Sequence, residues 1–265
     1  MADGPLAGLD PEQVRMMEER IIVVDRGDRI LRPESKVNAH LNEHGPMLHR
    51  AFSVFIFDDE GRLLLQQRAP EKVTFPSCWT NTCCSHPLYT PDELGEGDGG
   101  FLDGAVTGCA RAAIRKLEHE LGIRTNTFAP EDLLFLTRIH YLARAAADSP
   151  DERVEFGEHE IDYLFVARVP AGGMLMVPNA NEVSATRFVD EAGMRKMLAQ
   201  ARKGELRLTP WFEMIAEEFL FRWWTDLHDR PKLLAHRDVD SIFRFGECAA
   251  EPMQVEPPES NSVVS

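Results

Sequence analysis

The stretch LLLQQRAPEKVTFPSCWTNTCCSHPL, residues 63–88, decides how this chain is read. It opens as a strand. Leu63, Leu64 and Leu65 run into Gln66, Gln67 and Arg68, and the turn DDEG at 58–61 joins them to the apolar run AFSVFIFD at 51–58 as a hairpin. It closes on TNTCCSHPL, 80–88, where two adjacent thiols and a histidine stand together in a chain with five cysteines. Neighbouring Cys83 and Cys84 are poorly placed to bridge each other, since a disulfide needs Cα atoms about 4.4–6.8 Å apart in a suitable geometry. The pair therefore reads as reactive chemistry rather than as a staple.

Outward from this stretch, IIVVD at 21–25 and IDYLFVARV at 161–169 are further short runs of strand character bounded by polar turns. Residues 103–122 carry small and apolar side chains at helical spacing and end on Gly122, a C-terminal stop, while 191–202 and 211–227 are also helical in pattern. The class is α/β. The Gly/Asp-rich stretch 90–104 and the polar insert 144–155 are predicted to be loops without core contacts. Residues 1–18 read as a weakly ordered acidic leader and 246–265 as a disordered Pro/Glu/Ser-rich tail, leaving one domain over 19–245.

Composition excludes several roles. With 29 basic against 44 acidic residues the net charge is −15, which opposes nucleic acid and anionic membrane surfaces alike. An anionic ligand then requires a local basic cluster. Cys78, Cys83, Cys84, Cys109 and Cys248 form an odd set without CxxC spacing, which argues for a reducing compartment over a secreted disulfide scaffold. No apolar run reaches the ~18 residues of a membrane span, and the first residues lack a signal-peptide core. The expected location is cytoplasmic, and a plastid form from which a transit peptide had been removed would read the same way. A monomer is expected.

The chemical residues fall into two groups. His40, His49 and His86 share no short local spacing, so each taken singly is an ordinary histidine; Glu158 and Glu160 in GEHE project to one face of a strand while His159 points away. Two carboxylates on one face repel unless a cation lies between them, and imidazoles with carboxylates suit zinc, manganese or magnesium. Lys36, Arg68 and Lys72 form the basic group, able to clamp a diphosphate or simply to be solvated. Glu120 alone is ordinary helix punctuation, and Tyr141 and Trp211 alone are ordinary core aromatics.

In combination and order, NAHLNE, LHRAFSVFIF, the 63–88 stretch, LTRIHYLA, FGEHEIDYLF and LTPWFEMIAEEFLFRWW resemble the type 1 isopentenyl diphosphate isomerases, over about residues 21–224. The resemblance implies a Nudix-like α/β/α sandwich with a central mixed β-sheet. It also implies interconversion of isopentenyl and dimethylallyl diphosphate by an allylic proton shift through a tertiary carbocation, a step of isoprenoid biosynthesis acting on a small molecule. By this resemblance Cys84, directly before Ser-His, and Glu160 are catalytic; Cys83 is a wall residue. His40, His49, His86, Glu158 and Glu160 match the metal ligands, for Zn2+, Mn2+ or Mg2+. Glu120 matches the residue that shares Mg2+ with the diphosphate. Lys36, Arg68, Lys72 and Ser85 match phosphate contacts, and Tyr141 and Trp211 the pocket aromatics.

The likeness is incomplete. Of the Nudix box, Arg115, Leu117, Glu120, Gly122 and Ile123 fit, whereas Lys116 and His119 stand where glutamates are expected, which disfavours the alternative of a diphosphohydrolase. Phe156 precedes GEHE where tryptophan is common, and the loop in the 90s is longer than usual. An inactive metal- or diphosphate-binding module is the remaining alternative, and the intact Cys84, Glu160 and Trp211 set speaks against it.

Overall fold

Alternation within one strand sets the architecture. In the computed structural model, which describes residues 5–145, 155–170 and 173–250, the strand His49–Phe57 is buried at every position. Phe55 and Phe57 enter one core, while Phe52, Val54 and Ile56 enter another, as the two-residue period of a strand requires. A strand apolar on both faces belongs inside a sheet covered on both sides.

The strands are β1 (Arg20–Val24), β2 (Ile30–Ser35), β3 (His49–Phe57), β4 (Leu63–Arg68), β5 (Trp79–Thr80), β6 (Cys83–Ser85), β7 (Leu134–Arg144), β8 (Gly157–Arg168), β9 (Val183–Val189) and β10 (Ile242–Arg244). The helices are α1 (Pro11–Met17), α2 (Lys36–His40), α3 (Pro91–Leu94), α4 (Phe101–Leu121), α5 (Glu191–Ala201), α6 (Pro210–Ile215), α7 (Phe221–Asp226), α8 (Arg230–Ala235) and α9 (Glu247–Ala250). The main sheet runs β10-β7-β8-β3-β1-β2, with β4 and β6 also paired to β3. It is mixed, because β3 and β8 are parallel while β7 and β8 are antiparallel. Small side chains of α4, among them Ala105, Cys109, Ala112 and Ala113, cover one face. Met194 of α5, Trp211 and Phe212 of α6, Trp223 of α7 and Leu233 of α8 cover the other. The sandwich expected from the sequence is present, and truncating a core anchor such as Phe55 to alanine is expected to cost about 3–5 kcal/mol.

The four predicted strands appear as β1, β3, β4 and β8, and the DDEG hairpin pairs Phe57 with Leu63. The predicted helix 103–122 is α4, closed by Gly122 at φ 65°. A Cβ there would lie 2.4 Å from the Val177 carbonyl oxygen, so only glycine fits that left-handed cap. The helical pattern at 211–227 resolves into α6 and α7 joined by a π-helical turn at Ala216–Leu220. Apolar spacing reports only a mean period and does not register one widened turn.

Three expectations are corrected. The stretch 90–104 does carry core contacts: it forms α3 and the start of α4, with Leu94 and Leu102 packed on the α4-side core. Two of the glycines that made it look like a loop, Gly95 and Gly104, serve close packing, for a Cβ at Gly95 would meet the Gly104 carbonyl oxygen at 1.8 Å. The 1–18 leader contains α1, capped by Asp10, whose carboxylate accepts from Glu12 N at 2.8 Å. Met17 packs there with Val73 and Phe156. The start of the expected disordered tail is instead ordered as α9 with Cys248 buried, while residues 251–265 of that tail and 146–154 of the polar insert lie outside the described residues.

Candidate active site

Strand register assembles the site. Glu160 on β8 lies opposite His49 of β3 on one side and Tyr141 of β7 on the other, so three functional side chains form one row across the sheet. Cys84 of β6 lies opposite Ser53 of β3. Alternation then separates the two thiols: Cys83 enters the α4-side core, with Sγ 3.5 Å from Glu120 Oε2, while Cys84 lines the pocket. His40 comes from the end of α2, whose first residue is Lys36, so a helix of five residues delivers both a cation and an imidazole to the same pocket.

The histidines turn Nε2 toward carboxylates. His40 Nδ1 donates to the Lys36 carbonyl at 2.7 Å and His49 Nδ1 to the Met47 carbonyl at 2.8 Å. In a neutral ring with its proton on Nδ1, Nε2 is a bare acceptor. Burial, then His40, holds the His49 imidazole well below its ordinary pKa, and burial lowers His86 to about 4. Both are neutral, which is the ligating form. Glu158 Oε2 lies 2.8 Å from His40 Nε2, 3.8 Å from His86 Nε2 and 4.0 Å from His49 Nε2. Glu160 Oε1 lies 2.8 Å from His86 Nε2 and 3.6 Å from His49 Nε2.

An acceptor facing an acceptor is unfavourable without a cation between them. His40 Nε2, His49 Nε2 and Glu158 Oε2 are buried without a hydrogen-bond partner among the described residues, a costly state for polar atoms. A divalent ion relieves it, and nitrogen with carboxylate oxygen is a donor set such ions accept. His40, His49, His86 and Glu158 each offer an atom within one 4.8 Å group, and Thr74 Oγ1 holds the other Glu158 oxygen at 2.7 Å. These residues fit a metal centre.

The catalytic candidates sit beside it. Tyr141 donates a short hydrogen bond to Glu160 Oε2, and burial followed by Glu160 holds the phenol far above its ordinary pKa, hence protonated. Burial pushes the Cys84 thiol up to about 12, outweighing the opposing Arg68 guanidinium. Desolvation wins, and the resting group is a thiol. Trp211 stacks on Tyr141 with ring centroids 6.0 Å apart and packs edge-on to Phe75 at 5.3 Å. Its indole N–H is buried with no partner among the described residues.

The basic residues are placed less simply than expected. Lys36, Arg68, Lys72 and Ser85 all line the pocket. Arg68, however, directs Nη2 to the Thr74 carbonyl at 2.7 Å and Nε to the Phe75 carbonyl at 3.1 Å, leaving Nη1 4.0 Å from Cys84 Sγ. Lys72 is ion-paired at 2.6 Å with Glu182. Burial, with Lys72 and Lys116 nearby, lowers Lys36 to about 8. Glu120 stands apart from the imidazoles, 3.3 Å from Lys116 Nζ and accepting from Gln66 Nε2 at 3.0 Å.

Comparison with known proteins agrees with this geometry. Residues 47–212 match the NUDIX domain model. The chain is 47% identical to the isopentenyl-diphosphate delta-isomerase of Schizosaccharomyces pombe, covering 86% of this chain and 94% of that protein. It is 43% identical to isopentenyl-diphosphate Delta-isomerase 1 of Bos taurus, covering 87% and 95% respectively. The chain belongs to the isopentenyl-diphosphate delta-isomerase family.

Within that family reading, some pocket residues carried no local signal. Thr74 reaches Glu158 across 84 positions and Glu182 reaches Lys72 across 110. Gln13, Met16 and Met17 also line the pocket. The start of their helix was legible, since Asp10-Pro11-Glu12 is a capping residue followed by proline and an acid. Glu93, in the supposed loop, binds Arg115 Nε at 2.6 Å, and Arg115 Nη2 in turn donates to the His86 carbonyl at 3.3 Å.

Proposed function

We propose that this pocket interconverts isopentenyl and dimethylallyl diphosphate by a 1,3-allylic proton shift. The observation that carries the reading is the convergence of Cys84, Glu160, Tyr141 and Trp211 with Lys36 and Lys72 in one pocket. An unactivated alkene is protonated only by an acid held against it away from water. Cys84 is a buried thiol, and Glu160 is a buried carboxyl joined to the Tyr141 phenol. One of the two gives a proton to the terminal carbon and the other takes a proton from C2; the reverse direction exchanges their roles. The tertiary cation between these events meets the Trp211 ring, a contribution of about 2 kcal/mol in a desolvated site. Positioning of the two proton-transfer groups supplies much of the remainder.

Lys36, Lys72 and Ser85 hold the diphosphate, with Arg68 as a rigid wall whose free edge faces Cys84. A divalent ion, Zn2+, Mn2+ or Mg2+, fits His40, His49, His86, Glu158 and Glu160, and Mg2+ carried by the diphosphate fits Glu120. Bound there, the ions would offset carboxylate repulsion and diphosphate charge. Proton NMR in deuterated water with isopentenyl diphosphate and Mg2+ tests the reading. Deuterated dimethylallyl diphosphate without free phosphate is expected, and Cys84→Ala and Glu160→Gln should each lose nearly all turnover. Phosphate release would indicate a hydrolase, and substantial activity in either variant would remove that residue from its role.

A further inference from the structure

Two lysines and two carboxylates form a buried set beside the pocket. Lys72 Nζ contacts Glu182 Oε2 at 2.6 Å, and Lys116 Nζ lies 3.3 Å from Glu120 Oε1. Lys116 is also 3.9 Å from the same Glu182 Oε2 that holds Lys72. The second Glu182 oxygen is occupied separately, accepting from Gln13 Nε2 at 2.8 Å. The Glu182 side chain is wholly buried, and its backbone carbonyl accepts from Ala69 N at 2.9 Å, so it is fixed between β4 and β9. Burial would raise both carboxyls, but the neighbouring lysines hold them below their ordinary range; burial would likewise lower Lys116, and Glu120 and Glu182 hold it above.

This set conflicts with the roles proposed for two of its members. Lys72 can leave Glu182 fully for a phosphate only if another cation takes its place, because a buried anion left uncompensated is strongly destabilising. A magnesium ion arriving at Glu120 would be repelled by the Lys116 ammonium, which lies 3.3 Å from the same carboxylate. Both conflicts end with one movement, because Lys116 already faces both carboxylates.

We infer that Glu182 is a positioning residue that exchanges cations when magnesium diphosphate arrives: Lys72 leaves it for the phosphate, Lys116 shifts from Glu120 to Glu182, and Glu120 is released to the magnesium. Charge is conserved, since each buried carboxylate keeps one cation throughout. The inference rests on the diphosphate reading above and assigns it a partner-switching step. It also gives a purpose to lysine at position 116, where the Nudix pattern has a glutamate. A glutamate there could not compensate Glu182.

Calorimetric titration of the full chain with inorganic pyrophosphate, with and without Mg2+, tests the exchange without requiring turnover. In Glu182→Gln, Lys72 is already released, so metal-free pyrophosphate binds more tightly. Lys116 has lost its alternative partner and stays on Glu120, so the enhancement of pyrophosphate affinity by Mg2+ falls about tenfold, within the ordinary range of coupling between sites. Lys116→Met acts oppositely on the metal-free step: Lys72 is left to compensate both carboxylates, and metal-free pyrophosphate binds more weakly than in the parent. Glu182→Asp should restore much of the magnesium enhancement. Weaker metal-free binding in both Glu182→Gln and Lys116→Met, as a merely structural role would give, overturns the exchange; so does an unaltered magnesium enhancement in Glu182→Gln. Turnover of isopentenyl diphosphate by the parent, read by NMR, separates failure of the exchange from failure of the functional reading.

Discussion

Two buried imidazole groups lie on opposite faces of β8, and they have opposite chemistry. His40, His49 and His86 gather around Glu158, while His140 and His159 gather near Cys248, and in each group the potential ligand atoms lie within 4.8 Å of one another. Composition does not separate them, but hydrogen bonding does. In the first group backbone carbonyls take the Nδ1 protons of His40 and His49, so Nε2 lone pairs converge on carboxylate oxygens. In the second, an Arg244 guanidinium donates to His140 Nδ1, so His140 Nε2 donates to His159 Nε2 at 2.9 Å, and His159 Nδ1 donates to the Pro46 carbonyl at 2.9 Å. Each nitrogen is used, and Arg26 and Arg244 both oppose a further positive charge at His140. The second group is a closed chain of donors and the first an open ring in which His40 and His49 turn Nε2 toward carboxylate oxygens. Fitness for a metal ion is thus decided by what the other ring nitrogen does.

The two groups meet at one loop. Pro46 accepts from His159, and the next carbonyl, Met47, orients His49. The closed chain therefore supports the open ring from behind.

Each group responds differently to substitution. The largest effect is expected for Glu158→Gln, which removes the charge facing three imidazoles; bound metal measured by elemental analysis should fall by more than the roughly hundredfold typical of losing an outer-sphere partner. His159→Phe breaks the support of the loop and should weaken metal binding by about tenfold in a chelator-competition assay. Equal losses in the two variants would erase the distinction drawn between the groups.

A smaller effect concerns pH. Burial, then His159 and the arginines, lowers His140 to about 3 from an ordinary 6.5. The folded chain therefore binds fewer protons there than the unfolded chain, so this group withdraws stability as pH falls from 6.5 towards 3. Urea midpoints should decline over that interval, and His140→Gln should flatten the decline; an unchanged slope would deny the closed chain its role. The smallest effect is expected for Cys248→Ala, which should leave the bound metal per chain as in the parent.

Much of this was legible in the sequence, for identifiable reasons. The E-x-E alternation at Glu158 and Glu160 is a local property of a strand, and so were the hairpin before Leu63 and the glycine stop at Gly122. Local pattern failed where long-range packing decided the outcome. Gly95 and Gly104 looked like loop residues, but they let α3 and α4 lie against each other. The partners of Lys72 and Arg68 were invisible, because Glu182 and the carbonyls of Thr74 and Phe75 reach them only in the folded chain. The protonation state of Cys84 was invisible as well, since thiol ionisation depends on surroundings that a linear motif does not contain.

The most direct test is a cobalt(II) titration of the metal-stripped chain, followed by visible and near-ultraviolet absorption. One ion per chain, held by nitrogen and oxygen donors and giving no thiolate-to-metal charge-transfer band, is the predicted result, with binding lost in Glu158→Gln. A second equivalent that develops a thiolate band and disappears in Cys248→Ala would show that the closed group takes metal as well, and would contradict the account.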